Sequence, residues 1–202
     1  MTVWHGKYPL VLASQSRARQ ALLANAGIAF EAISADIDER QIQAASGLSA
    51  PGEIASLLAR RKALSVSSSQ AGKTVVGADQ TLALGARLFS KPADHAQAAE
   101  QLRALAGSSH DLHAAVAVAR DGKILFETLS IARMTMRRLS EAEIEAYLDE
   151  AGEAVVTSVG AYQLEGLGVH LFERIEGDHF TILGLPLLPL LAFLRGERLL
   201  AV

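Results

Sequence analysis

The stretch Pro9-Leu10-Val11-Leu12-Ala13-Ser14-Gln15-Ser16-Arg17-Ala18-Arg19-Gln20-Ala21-Leu22-Leu23-Ala24-Asn25-Ala26 decides how the chain is read. Pro9 to Ala13 is a short apolar run of the kind that forms a buried strand, and Gln20 to Ala26 places Leu22 and Leu23 on the core side of a helix. A strand turning into a helix leaves backbone N–H groups free at the helix start, where they favour an anion. Ser14, Ser16 and Arg19 stand at that turn and together make a phosphate cradle. An N-cap at Ser14 or Ser16 followed by solvated arginines accounts for the same residues, so the segment by itself leaves both readings open.

Outward from this unit the chain keeps alternating. Residues 28–34 read as a second strand, residues 35–40 as a polar, acidic connection, and residues 46–52, with Gly, Ser and Pro, as a loop. Apolar residues at helical spacing predict a helix over 53–67. The β-branched run 74–78 predicts a central strand, and residues 81–84 and 87–89 flank Gly85-Ala86 as a hairpin. A helix is expected from Pro92 through 94–105, closed by Gly107. Strands over 110–120 and 123–136 are separated by Asp121-Gly122, a two-residue hairpin signal. Ser140-Glu141-Ala142-Glu143 matches a capping box and opens a helix to about Glu150. Residues 158–168 are glycine-rich, residues 169–175 read as a strand, and residues 187–194 as a closing helix. The order implies a mixed α/β fold on one long twisted sheet flanked by helices. No repeat or clean linker divides it, so residues 1–202 are read as one domain.

Half of the 202 residues are apolar, enough for a sizeable core, and the net charge of −3 argues against a surface that coats a nucleic-acid polymer. The absence of cysteine excludes disulfides, thiolate metal sites and a cysteine nucleophile. The N-terminus lacks the apolar core of a signal peptide, and the apolar stretch at 182–194 is broken by Pro186 and Pro189, too short to span a bilayer. The expectation is a soluble cytoplasmic protein with no membrane partner.

Several polar residues break the local pattern. Asp79 ends the buried run 75–78, at the carboxyl edge of a central strand, where ligands bind in open α/β sheets; a strand-capping turn residue fits as well. Glu39 closes the acidic connection and is also explained as an exposed loop acid. Lys62 lies four residues from Leu58 and can share its inward face, or simply be solvated. Lys91 follows the hairpin and precedes Pro92, which also fits turn chemistry. Taken together, two carboxylates, two lysines, Arg19 and two serines are the groups that metal-assisted phosphoryl chemistry uses. Carboxylates hold hard divalent cations, and cationic side chains neutralise a leaving pyrophosphate. No P-loop pattern is present, and the histidines do not form HExxH.

These motifs resemble the Maf family, whose name refers to septum-formation inhibition. LASQSRARQALL is similar to LASxSPRRxxLL, DIDE to DxDE, RKA around Lys62 to a helix motif ending in KA, and VVGADQ to (I/V)xGAD. SKPAD is similar to GKPxD, GAYQLEGLG to GAYxIQGLG, and ILGLPL to VVGLPL, making seven matches in order along the chain. The resemblance implies an elongated α/β fold of Maf/ITPase-like type, two lobes around a central cleft, and a house-cleaning nucleoside triphosphate pyrophosphatase. Such enzymes cleave the α–β phosphoanhydride with Mg²⁺ or Mn²⁺, and dimers are common among them, so a homodimer is compatible. By motif, Asp79 takes the proton-acceptor role and shares the metal with Glu39. Ser14, Arg19, Lys62 and Lys91 bind phosphates, with Lys62 counted among the catalytic groups.

Three positions sort substrates in the family. Members acting on dTTP and UTP show Arg, Thr and Gln there, and members acting on 7-methyl-GTP show Trp, Gln and Glu. This chain has Ala18, Gln80 and Glu165. Two of the three match the 7-methyl-GTP group, and a carboxylate suits a cationic methylated guanine. Ala18 cannot supply the stacking face of Trp, and Arg17 stands where the family has Pro. The other readings are a dTTP/UTP pyrophosphatase of the same family and a non-catalytic nucleotide-binding regulator of cell division, the latter because an altered phosphate loop suits binding without turnover.

Overall fold

The computed structural model describes residues 3–201, so residues 1, 2 and 202 of the single-domain reading lie outside it. In chain order the elements are β1 (Leu10–Leu12), α1 (Arg17–Asn25), β2 (Phe30–Ala32), α2 (Glu39–Ser46), α3 (Pro51–Ser67), β3 (Val75–Leu84), β4 (Arg87–Phe89), α4 (His95–Leu105), β5 (Ser109–Arg120), β6 (Lys123–Met136), α5 (Glu141–Ala151), β7 (Phe172–Glu176), α6 (His179–Ile182) and α7 (Leu187–Gly196). Short 3₁₀ turns cover Gly152–Val156, Val159–Ala161 and Leu167–Leu171. The strands form one mixed seven-stranded sheet in the order β2-β1-β3-β5-β6-β7, with β4 paired to β3. β1 is parallel to both β2 and β3, whereas β4 and β7 run antiparallel to their partners. This is the α/β class expected from the alternation of elements.

The chain divides into two compact units. The first comprises the chain up to Gln80, Ala114–Ser130 and the chain from His179; the second comprises Thr81–His113 and Ile131–Asp178. In the first unit, strand alternation sorts side chains between two apolar layers. Leu10, Leu12, Val76, Ala78, Val116 and Val118 pack with Leu22, Leu23, Leu187, Leu190 and Leu194 of α1 and α7. On the other face Ala55, Ala59 and Ala63, one per turn of α3, meet Ala115, Ala117 and Ala119 of β5, while Val75 packs with Val66, Val11 and Ala13. Residues 75, 77 and 79 therefore face α3, and residues 76, 78 and 80 face the opposite layer.

Small residues let α3 lie very close to the sheet. A Cβ added at Gly77 would overlap the Ala59 carbonyl oxygen and stand 2.5 Å from the Ala63 nitrogen. The side chain that this approach brings to the sheet is Lys62, on the same helix.

In the second unit local signals set the ends of elements. The Ser140–Glu143 capping box opens α5 with both reciprocal bonds present. Tyr162 is buried, its ring edge-on to Phe172 at 4.8 Å. Its hydroxyl lies 2.7 Å from His110 Nε2. Burial lowers the His110 pKa to about 4, so the imidazole is neutral at physiological pH.

Some boundaries differ from the sequence expectation. Residues 39–46 form a helix where a connection leading into a loop was expected; its N-cap Asp38 accepts from Gln41 N–H at 2.9 Å. α3 begins at Pro51, because a proline at the first helical position has no N–H to satisfy. β3 continues through Asp79 and Gln80 to Leu84. Residues 167–171, read partly as strand, make a 3₁₀ turn before β7.

Gly77→Ala is expected to lower stability by about 1–3 kcal/mol through overpacking, and to lower activity with it because α3 must shift. Urea unfolding of the variant beside wild type measures the first effect.

Candidate active site

On the α3 face of the first unit, Lys62 Nζ lies 2.6 Å from Asp79 Oδ1 and 2.8 Å from Glu39 Oε1. Lys62 and Asp79 are 9% and 7% exposed, so their charges are largely removed from water, whereas Glu39 is exposed at the first position of α2. A carboxylate suits that end of the helix dipole. Burial raises the Asp79 pKa above the usual carboxylate value, against the opposing pull of Lys62 and Arg19. The result is a basic carboxylate held beside an ammonium.

Asp79 does not end its strand, as the sequence reading had it. The strand passes through Asp79-Gln80 because each polar side chain finds partners on its own face. Asp79 meets Lys62. Gln80 Nε2 donates to the carbonyl oxygens of Thr181 at 3.0 Å and Ile182 at 3.1 Å. Glu39, expected in an irregular connection, instead opens α2.

Arg19 is buried on the Gln80 side. Its Nε donates to Gly184 O at 2.7 Å, and its Nη1 donates to Ala78 O at 2.8 Å and Ser14 Oγ at 3.1 Å. It thus ties α1, the end of β1, β3 and the turn after α6 together while carrying a positive charge near Asp79. Desolvation lowers its pKa, opposed by Asp79 and Glu39. Ser16, not Ser14, is the N-cap of α1, accepting from Arg19 N–H. Ala18 is half-buried and offers only a methyl group.

Sequence reasoning missed Gly184 and the carbonyls that hold Arg19 and Gln80. Gly184 has φ +82°, and a Cβ there would stand 3.2 Å from Arg19 Nη2. The glycine in ILGLPL was the available signal. Ser14, Arg19, Glu39, Lys62, Asp79 and Gln80 all belong to the first unit. Lys91 and Glu165 belong to the second, where both are exposed, Lys91 just past β4 and Glu165 in the turn between two 3₁₀ segments.

The donor set at Lys62 suits a hard divalent cation, since two carboxylates reach one point occupied by a single ammonium. Among the described residues no group of three or more His, Cys, Asp or Glu forms a metal cage. A cation held by Asp79 and Glu39 would therefore complete its shell with water and phosphate oxygens, the usual habit of Mg²⁺.

Lys62→Met leaves Asp79 buried without its partner and is expected to destabilise the fold by about 3–5 kcal/mol near neutral pH. Because burial raises the Asp79 pKa, the stability tied to its proton is fully present below the unfolded value of 3.8 and is lost as pH rises through the raised folded value. The defect in the variant should therefore shrink as pH falls, and a second change, Asp79→Asn, should recover most of it. Urea unfolding at acidic and neutral pH checks both.

The model of a family described as "Maf-like protein" matches residues 9–197. A nucleoside triphosphate pyrophosphatase of Bradyrhizobium diazoefficiens is 72% identical over 202 residues, and one of Rhodopseudomonas palustris is 71% identical over 202 residues; each alignment covers 100% of both proteins. A 7-methyl-GTP pyrophosphatase of Brucella abortus is 53% identical over 192 residues, 94% of this chain and 96% of that protein. Among solved structures, a HAM1 protein from Coxiella burnetii gives a TM-score of 0.41 at 21% identity over 65% of this chain and 74% of that one. With a family match along nearly its whole length and full-length relatives above 70% identity, the chain belongs to the Maf family.

Proposed function

We propose that this chain is a nucleoside triphosphate pyrophosphatase that acts on 7-methyl-GTP in preference to other nucleotides. The carrying observation is the buried Asp79, its pKa raised by desolvation, hydrogen-bonded to Lys62 beside Glu39. A basic carboxylate in that setting suits a proton acceptor. Asp79 takes a proton from water as the water oxygen bonds to the α-phosphorus; the α–β bridging bond breaks and pyrophosphate leaves. Lys62 neutralises charge that builds on the phosphates, with Ser14 donating a hydroxyl and Arg19 lending a fixed positive charge. A bound Mg²⁺ or Mn²⁺ supplies charge neutralisation of the phosphate oxygens and acidification of water. Lys91 is assigned to phosphate binding from its motif alone.

Base choice rests on Gln80 and Glu165. Both Nε2 hydrogens of Gln80 go to backbone carbonyls, which fixes the amide so that Oε1 is its acceptor for a base N–H. Glu165 is an exposed carboxylate, which attracts the positive charge of a 7-methylated guanine. The name of the Brucella abortus relative points the same way. No described helix is long and apolar enough to cross a membrane, and a cysteine-free chain that consumes free nucleotides fits the cytoplasm.

Pyrophosphate release across a nucleotide panel with Mg²⁺ or Mn²⁺ tests the reading. The highest kcat/KM is expected for 7-methyl-GTP; equal or better turnover of dTTP or UTP contradicts the base assignment, and no release from any nucleotide contradicts the activity. Asp79→Asn is expected to remain folded and to lose at least about 100-fold in kcat, the lower end of what a general base contributes.

A further inference from the structure

The segment that carries Glu165 is held in an uncommon backbone conformation. Gly160 and Ala161 are consecutive left-handed residues, with φ +78° and +60°. An alanine there is strained and persists only where its surroundings hold it. Three neighbouring side chains do so, each from a different element of the same unit. Gln101 of α4 accepts from Gly160 N–H at 3.0 Å. Tyr147 of α5 donates to Ala161 O at 3.2 Å. His110 of β5 meets the Tyr162 hydroxyl at 2.7 Å.

Beyond Tyr162 the chain closes on itself. Gly166 N–H donates to Gln163 O at 3.2 Å, and a Cβ at Gly168 would stand 2.9 Å from the Gln163 nitrogen. Residues 163–168 thus form a tight turn whose base is fixed and whose tip, at Glu165-Gly166, is exposed. Two side chains fix the base of the turn: Gln163, whose Nε2 donates to Thr157 Oγ1 at 2.8 Å, and Tyr162, the last buried side chain before the tip.

His110 is not the residue that stability alone would place opposite Tyr162. The imidazole is 1% exposed, and its Nδ1 has no hydrogen-bond partner. An unpaired buried polar atom is a cost that an apolar pair of similar shape would avoid. The one thing the pair supplies that two phenyl rings cannot is a directional bond fixing the Tyr162 hydroxyl.

We propose that the buried His110–Tyr162 hydrogen bond is a positioning device that sets the turn 163–168 and so the presentation of Glu165 to the nucleotide base. This inference rests on the proposed role of Glu165 in base choice. Neither residue touches the reacting atoms. The neutrality of His110 keeps the bond in one charge state across the working pH range.

The test compares wild type with Tyr162→Phe, which removes only the hydroxyl, and with the double variant His110→Phe/Tyr162→Phe, which replaces both partners by apolar rings. For each, kcat and KM are measured with 7-methyl-GTP and with GTP, alongside thermal unfolding. The double variant is expected to melt near wild type with kcat retained, while KM for 7-methyl-GTP rises about fivefold, the size of one lost hydrogen bond. Preference over GTP should narrow in proportion. Unchanged KM and preference in both variants, or an equal fall in kcat for both nucleotides with lowered melting, overturns the inference. Glu165→Gln separates the two levels. If it shifts preference and the pair variants do not, only the positioning role fails; if it does not shift preference, the base-choice reading fails and the positioning role with it.

Discussion

The Lys62 ammonium sits between the carboxylates of Asp79 and Glu39, and it reaches them because α3 lies against the sheet with only glycine and alanine between. Larger residues at Gly77, Ala59 or Ala63 would lift the helix and withdraw the lysine. Taking an ion pair out of water costs several kcal/mol per ion, only partly returned by the attraction, so such a pair is poor evidence of a design for stability. The same desolvation that makes the pair costly raises the basicity of Asp79, the property that the proposed proton-acceptor role requires.

β3 then distributes function by its own period. Asp79 and Gln80 are adjacent and face opposite layers, Asp79 toward α3 and Gln80 toward the carbonyls of Thr181 and Ile182. Arg19 stands on the Gln80 side, bonded to Ala78 O and Gly184 O, yet its charge still acts on Asp79. One strand thereby ties the Asp79 carboxylate and the Gln80 amide to the same backbone, so a movement of β3 displaces both.

The parts legible in the sequence were those whose causes are local. Asp121-Gly122 forms its hairpin turn with both residues at positive φ, and Ser140 with Glu143 forms its capping box. α2 was missed because it buries no residue and carries one large apolar side chain, Ile42, too little to set a helical period in the sequence. The start of α3 was hidden by Pro51, which signals a break and a helical first turn equally well. Asp79 looked like a strand end because a carboxylate inside a buried strand is reasonable only once Lys62 is known to face it, and that pairing joins residues seventeen apart. The gathering of Ser14, Arg19, Glu39, Lys62 and Asp79 had to be taken from the family resemblance. The carbonyl partners of Arg19 and Gln80, being backbone, had no side-chain signature.

The claim that Lys62 and Asp79 act as one unit is tested most directly by a double-mutant cycle on pyrophosphate release, using Lys62→Met, Asp79→Asn and both together. Groups that act as a unit are strongly non-additive, so the double variant should be about as slow as the slower single variant. Losses that add in free energy, each side chain contributing independently of the other, would contradict it.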